Sequence, residues 1–155
     1  MPHQQGIKTI AQNRKAFHDY FVDEKLECGI ALFGTEVKSI RQGRINLKES
    51  WVRIDNGEVW AEGMHISPYD QGNQFNRDPL RKKKLLLHKS EIRKLDAYVM
   101  RQGYTLIPLD VYLKEGRVKI TLGLCRGKQL HDKRESIARR DSDREIQRAL
   151  RNRQK

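Results

Sequence analysis

SWVRIDNGEVWAEGMHI, Ser50 to Ile66, sets Asp55, Asn56 and Gly57 between two runs rich in β-branched and aromatic residues. An Asn-Gly pair adopts the positive φ angles of a tight hairpin turn at little steric cost, so the stretch predicts two antiparallel strands joined there. Toward the N-terminus, FHDYFVDEK and LECGIALFG, between Phe17 and Phe33, predict two further strand-like stretches closed by Gly34. Toward the C-terminus, YTLIPLDVYL and RVKITLGLC predict another pair joined at Glu115-Gly116. The fold class that follows is mostly β.

Helical spacing appears in two places. TEVKSIRQG offers Thr35 as N-cap and Gly43 as the residue after the last turn, with Val37 and Ile40 on one face. Lys38 and Arg41 share a different face and are expected to reach one groove together. Ile92, Leu95, Tyr98 and Val99 mark a second amphipathic helix with Ser90 near its N-terminus, ending at Gly103. SPYDQGNQFNRDP, residues 67–79, is a long polar loop whose Tyr69 and Phe75 either stack on bases or pin the loop to the body. Six or so strands with hairpin connections suit a small antiparallel OB-like β-barrel with about three short flanking helices, spanning residues 1–125.

Beyond Cys125 the composition changes. Residues 126–155 carry 11 Lys and Arg against 5 Asp and Glu, with only Leu130, Ile137, Ile146 and Leu150 as large apolar groups. So little apolar surface does not offset the entropy of ordering the segment, so a basic C-terminal tail is expected, disordered alone and helical once RNA screens its charge. Over the whole chain of 155 residues, 32 Lys and Arg against 20 Asp and Glu leave a net charge of +12, which favours polyanionic partners. No run approaches the roughly 20 apolar residues of a membrane-spanning helix, and the first residues lack the apolar region of a secretory signal. Cys28 and Cys125 sit in apolar runs and are read as reduced core residues of a cytoplasmic protein, a monomer when free.

The sequence contains no P-loop, no GxGxxG and no metal-ligand spacing, so neither catalysis nor a cofactor is expected. His18 and Asp19 are neighbours in a predicted strand, where side chains point to opposite faces, so they are not expected to work as a pair. The cations carry more information. RKKKLLLHK, Arg81 to Lys89, sets four cations against an apolar triplet; Lys38, Arg41, Lys119, Arg126 and Lys128 also fall at the ends of predicted elements, where phosphate contacts are held in register. In the tail, Gly127 reads as a pivot and His131 as a group that stacks on or hydrogen-bonds to RNA.

Four strings then become specific: IAQNRKAFHDYF, LECGIALFGTEVKSIRQGR, DPLRKKKLLLHKSEI and LGLCRGKQLHDKR. In order and spacing, from about Ile10 to Arg134, the chain resembles the bacterial SsrA-binding (small protein B) family. The resemblance implies an adaptor that binds tmRNA, through its tRNA-like domain, and acts with it in trans-translation on stalled ribosomes. It implies tmRNA-facing roles for Asn13, Arg14, Glu27, Lys38, Arg41, Lys84, His88, Lys89, Lys119, Arg126 and Lys128. It also places Gly127, His131, Lys133 and Arg134 near the ribosomal decoding centre and mRNA path; Asn13, Glu27 and His88 enter only through the resemblance. Two departures stand out: Gln129 replaces a lysine common in the family, and both tryptophans, Trp51 and Trp60, lie in the hairpin rather than the tail. The alternative is an OB-like structural component of the ribosome or another ribonucleoprotein, bound to rRNA.

Overall fold

The computed structural model describes residues 6–71 and 76–128, with no account of the side chains of residues 101–102. The tail expectations at His131, Lys133 and Arg134, and the stacking role of Phe75, lie outside the described residues. The elements in chain order are β1 (Ile7–Gln12), α1 (Arg14–Asp19), β2 (Tyr20–Ile30), α2 (Gly34–Arg41), β3 (Ile45–Asn46), β4 (Trp51–Asp55), β5 (Glu58–Glu62), β6 (His65–Ile66), β7 (Lys83–Leu86), α3 (Lys89–Gln102), β8 (Thr105–Lys114) and β9 (Arg117–Gly127). The protein is mostly β with three helices, as the sequence predicts.

β8, β4, β5, β7, β2 and β9 each pair with the next, and β9 pairs back onto β8, so six strands form a closed antiparallel circuit. β1 runs along β8 beside residues 110–114, and β3 pairs with β6 apart from the circuit. The Asn-Gly hairpin forms as predicted: Asn56 and Gly57 take φ of 52° and 75°, and Asp55 faces Glu58 across the turn. Glu115 and Gly116, at φ 52° and 82°, make the same kind of turn between β8 and β9.

Two apolar clusters lie on opposite faces of the same strands, and β-bulges make this possible. On β8, Leu106 joins the larger cluster while Ile107 and Leu109 join a smaller one with Ala16 and Cys125. The register shift between Pro108 and Asp110 adds one residue, which returns Val111 to the larger cluster. The shift between Val22 and Glu24 does the same on β2: Tyr20 and Val22 face the smaller cluster, Leu26, Cys28 and Ile30 the larger. Gly123 on β9 makes room for this packing, since a Cβ there would lie 2.6 Å from Leu109 Cδ1. Cys28 and Cys125 are free and buried, one in each cluster.

Several expectations are corrected. Phe17 to Asp19 are helical rather than extended, because Asn13 caps α1 by accepting the Ala16 N–H at 3.1 Å. His18 and Asp19 consequently do meet, at 2.8 Å. α2 begins at Gly34, so its cap is Phe33 rather than Thr35; α3 begins at Lys89 with His88 as its cap, and Ser90 lies near its N-terminus as expected. In both helices the third residue supplies the capping carboxylate: Phe33 N–H donates to Glu36 at 2.8 Å and His88 N–H to Glu91 at 2.9 Å. β9 continues past Cys125, and Gly127 pairs with Tyr20, so the expected pivot is strand at this position. Among the described residues no helix is long and apolar enough to cross a membrane.

The four-cation run, Arg81 to Lys84, enters β7 only at Lys83 and Lys84, and the pleat of the strand separates these two. Lys83 is fully buried, its ammonium donating to Met64 O at 2.5 Å and Pro79 O at 3.0 Å. It thereby ties the residue that precedes β6 to the far end of the loop that follows it. Burial pushes its pKa down to about 8. Between about 8 and the ordinary 10.5 the unfolded chain holds this proton and the folded chain releases it, so the site's contribution to stability rises with pH across that window; below 8 the full cost of burying the charge remains. Urea denaturation of the parent and of Lys83→Met should diverge between pH 8 and 10, the parent gaining on the order of 2 kcal/mol relative to the variant. A difference that stays flat with pH would contradict this account.

Candidate nucleic-acid interface

β2 and β7 pair at only two positions, Gly29 with Leu86 and Ile30 with Leu85, before β7 gives way to α3. The early departure opens a cleft lined by Glu27, Gly29, Leu86, His88, Glu91 and Lys119. Leu86 is left 51% exposed at its rim, and the cleft continues past Lys119 toward Arg117. β9 delivers Lys119 because its register sets this residue opposite Gly29 on one side and Tyr112 on the other. Three expected site residues from distant parts of the chain, Glu27, His88 and Lys119, are thus brought together. Lys89, the first residue of α3, is exposed beside them.

Glu27, one of two acids in this cleft with Glu91, is set against the cations Lys114 and Lys119. Its carboxylate accepts a hydrogen bond from the Tyr112 hydroxyl and lies 3.4 Å from the Lys114 ammonium. The Tyr112 hydrogen bond is the largest influence holding its pKa below the ordinary carboxylate value, with the charges of Lys114 and Lys119 adding to it. Tyr112 moves the other way: burial and the same hydrogen bond push its pKa well above the ordinary phenol value. Glu27 therefore stays ionised at neutral pH, an acceptor for the hydroxyl or amino groups of a nucleic acid. Tyr112 and Lys114 carried no signal in the sequence beyond strand alternation.

A second group forms where β2 begins and β9 ends. Arg126 makes two hydrogen bonds with Asp23, at 2.8 and 3.2 Å, and lies 5.4 Å from the Phe21 ring. Lys128 donates to Phe17 O at 3.2 Å and also faces Phe21. Arg14 opens α1 and is exposed, but Asn13 is only 3% exposed. The Asn13 amide donates to Leu47 O and Pro108 O, both at 3.0 Å, while its oxygen caps α1. Both Asn13 amide hydrogens are thus committed within the protein and its oxygen to the cap of α1, an arrangement that positions α1.

The remaining cations separate. Lys38 faces the Tyr69 ring at 5.4 Å, whereas Arg41 donates to Gly116 O at 2.9 Å, so the two do not serve one groove as expected. In the β7 run, Arg81 grips the buried Glu36 through two bonds of 2.8 and 2.6 Å, Lys82 lies 4.4 Å from the Trp60 ring, and Lys84 pairs with Glu58 at 3.2 Å. The Lys84 pair is half exposed; such pairs contribute ~0–1 kcal/mol, so a phosphate can displace the carboxylate. Among the described residues no three metal-ligating side chains come together.

Comparison with known proteins decides the family. A family model described as SmpB protein matches residues 10–152. The chain belongs to the SmpB family. This SmpB chain is 64% identical over 147 residues to the SsrA-binding protein of Desulfitobacterium hafniense strain DSM 10664 / DCB-2, covering 95% of this chain and 94% of the relative. It is 59% identical over 155 residues to the SsrA-binding protein of Bacillus cytotoxicus, covering 100% and 99%. A solved structure described as "tmRNA-SmpB: a journey to the center of the bacterial ribosome" contains a chain 50% identical to it, with a TM-score of 0.65, covering 76% of this SmpB chain and 83% of that one.

Tyr112→Phe should raise the Glu27 pKa toward the ordinary carboxylate range, read by carboxyl 13C NMR titration. An unchanged titration would mean that the neighbouring lysines, not the phenol, set it.

Proposed function

We propose that this protein is an RNA-binding adaptor that binds tmRNA and acts with it in trans-translation to rescue stalled ribosomes. The observation that carries this reading is the meeting of Glu27, His88 and Lys119 in one open cleft of a chain so similar to SsrA-binding proteins. The closed strand circuit serves as an OB-like barrel whose rim presents the cleft to the tRNA-like domain. Lys119, Lys89 and Lys84 supply phosphate contacts, His88 a stacking or hydrogen-bonding edge, and Glu27 an acceptor for 2′-hydroxyl or base amino groups. Arg14, Arg126 and Lys128 form a second phosphate-facing group at the end of β9, and Lys38 and Arg41 contribute from α2. Asn13 sets the position of α1 and hence of Arg14.

In the division into a body of residues 1–125 and a tail of 126–155, the root of the tail is held at the end of β9, and Gly127, His131, Lys133 and Arg134 lead from it to the ribosomal decoding centre and mRNA path. No catalysis is required of any residue, and a partner on the ribosome supports a cytoplasmic location. A permanent rRNA-bound component is disfavoured by the match to tmRNA partners over nearly the full chain.

Replacing Lys119 with Ala should weaken tmRNA binding and reduce the slope of log affinity against log salt by about 0.7–0.9, the value for one phosphate contact. Parental affinity and slope would remove Lys119 from the interface. Deleting residues 131–155 should spare tmRNA binding in gel shifts while abolishing peptide tagging on ribosomes carrying a stop-less message. Tagging that survives the deletion, or tmRNA binding that does not, would overturn the two-surface assignment.

A further inference from the structure

Between the start of α2 and the loop after β6 lies a second concavity, walled by Phe33, Lys38, Tyr69 and Arg77, that shares no lining residue with the Glu27 cleft. Its aromatic walls are fixed before any ligand arrives. Tyr69 is held by a two-way clasp with Asn76, its N–H donating to Asn76 Oδ1 at 2.7 Å and its carbonyl accepting from Asn76 Nδ2 at 2.9 Å. The Tyr69 hydroxyl donates to Gln71 at 2.9 Å. Phe33 is 43% exposed, and the Arg77 guanidinium lies 3.9 Å from its ring centroid. Arg81 also approaches that ring, at 4.7 Å, but is anchored by Glu36.

Among the described residues no carboxylate pairs with Lys38 or Arg77: Asp70 pairs with Arg44, Glu36 with Arg81, and Asp78 accepts the Leu80 N–H. Lys38 and Arg77 are recorded only against aromatic rings. A Cβ at Gly34 would meet no atom within 4 Å, so space extends to the backbone of α2.

We propose that this concavity is a stacking site for one unpaired nucleotide of single-stranded RNA, its base between Tyr69 and the Phe33–Arg77 pair and its phosphate against Lys38 and Arg77. Splayed bases are recognised by aromatic faces and guanidinium planes, and the neighbouring phosphate by cations that have no acid to leave. The proposal extends the RNA-binding reading, on which it rests for the class of partner, to a site apart from the cleft.

The test is an NMR titration of the 15N-labelled full chain with hexauridylate and with an abasic ribose-phosphate hexamer, alongside a gel shift with tmRNA. Hexauridylate should shift Gly34, Thr35 and Tyr69, and the abasic hexamer should bind about tenfold more weakly. Phe33→Ala and Arg77→Gln should each cost about tenfold in hexauridylate affinity. Gly34→Glu removes no internal contact and sets a carboxylate in the concavity, so it should abolish those shifts in a protein whose remaining spectrum is unchanged. Silence at these residues, equal binding of the abasic chain, or parental affinity in folded Gly34→Glu overturns the proposal, including in favour of a protein partner. If the parent binds tmRNA while the concavity stays silent, this site alone falls. If the parent fails to bind tmRNA, the adaptor reading falls.

Discussion

Everything in this protein hangs on β9 being hydrogen-bonded along both edges, to β2 from Lys119 to Gly127 and to β8 from Arg117 to Cys125. A strand so constrained has no freedom of register, because a slip of one residue would turn Ile120, Leu122 and Leu124 out of the larger apolar cluster. Both partners carry a bulge, so the register is fixed while each partner changes face part-way along. The same lock sets the interface. Lys119 stands beside the cleft, and Arg126 beside Asp23, only because β9 is phased by its core residues. In this fold the positions of the basic groups are a consequence of hydrophobic packing.

The parts of the fold written in local chemistry were legible. Asn56-Gly57 and Glu115-Gly116 supply their own φ preferences, and Gly103 closes α3 in the left-handed conformation, so these boundaries came out as read. Non-local effects were not legible. The helix at Arg14–Asp19 is six residues long, runs straight into the strand-forming Tyr20–Val22 and depends on Asn13, whose amide reaches carbonyls 34 and 95 residues away. β7 hid inside a charge run because one lysine in it is a core residue. Cations in the cleft could be selected from composition, but the partners that tune Glu27 lie on β8 and emerge only when β2, β9 and β8 are set side by side.

A net charge of +12 gives a misleading picture of how many cations are free to meet an anion. Arg81 and Arg126 hold carboxylates, Arg41 and Lys83 hold carbonyls, and Lys82 covers a tryptophan. The balance is positional. Cations bound to carbonyls or lying on rings keep their charge while gaining a defined place, so the positive field is delivered from fixed points rather than from a mobile fringe. Such preorganisation favours a partner of one shape over polyanions in general.

The two cysteines give this arrangement a chemical readout. Cys28 and Cys125 lie in the two clusters on opposite faces of the same strands, and burial pushes both thiols up to about 12. Neither reacts appreciably as a thiolate while its own cluster is closed. Alkylation of Cys125 therefore times the lifting of α1 from the outer face, whereas alkylation of Cys28 times the opening of the strand circuit. One chain thus carries two clocks: Cys125 runs when α1 lifts, and both run when the circuit opens, since β8 and β9 wall each cluster.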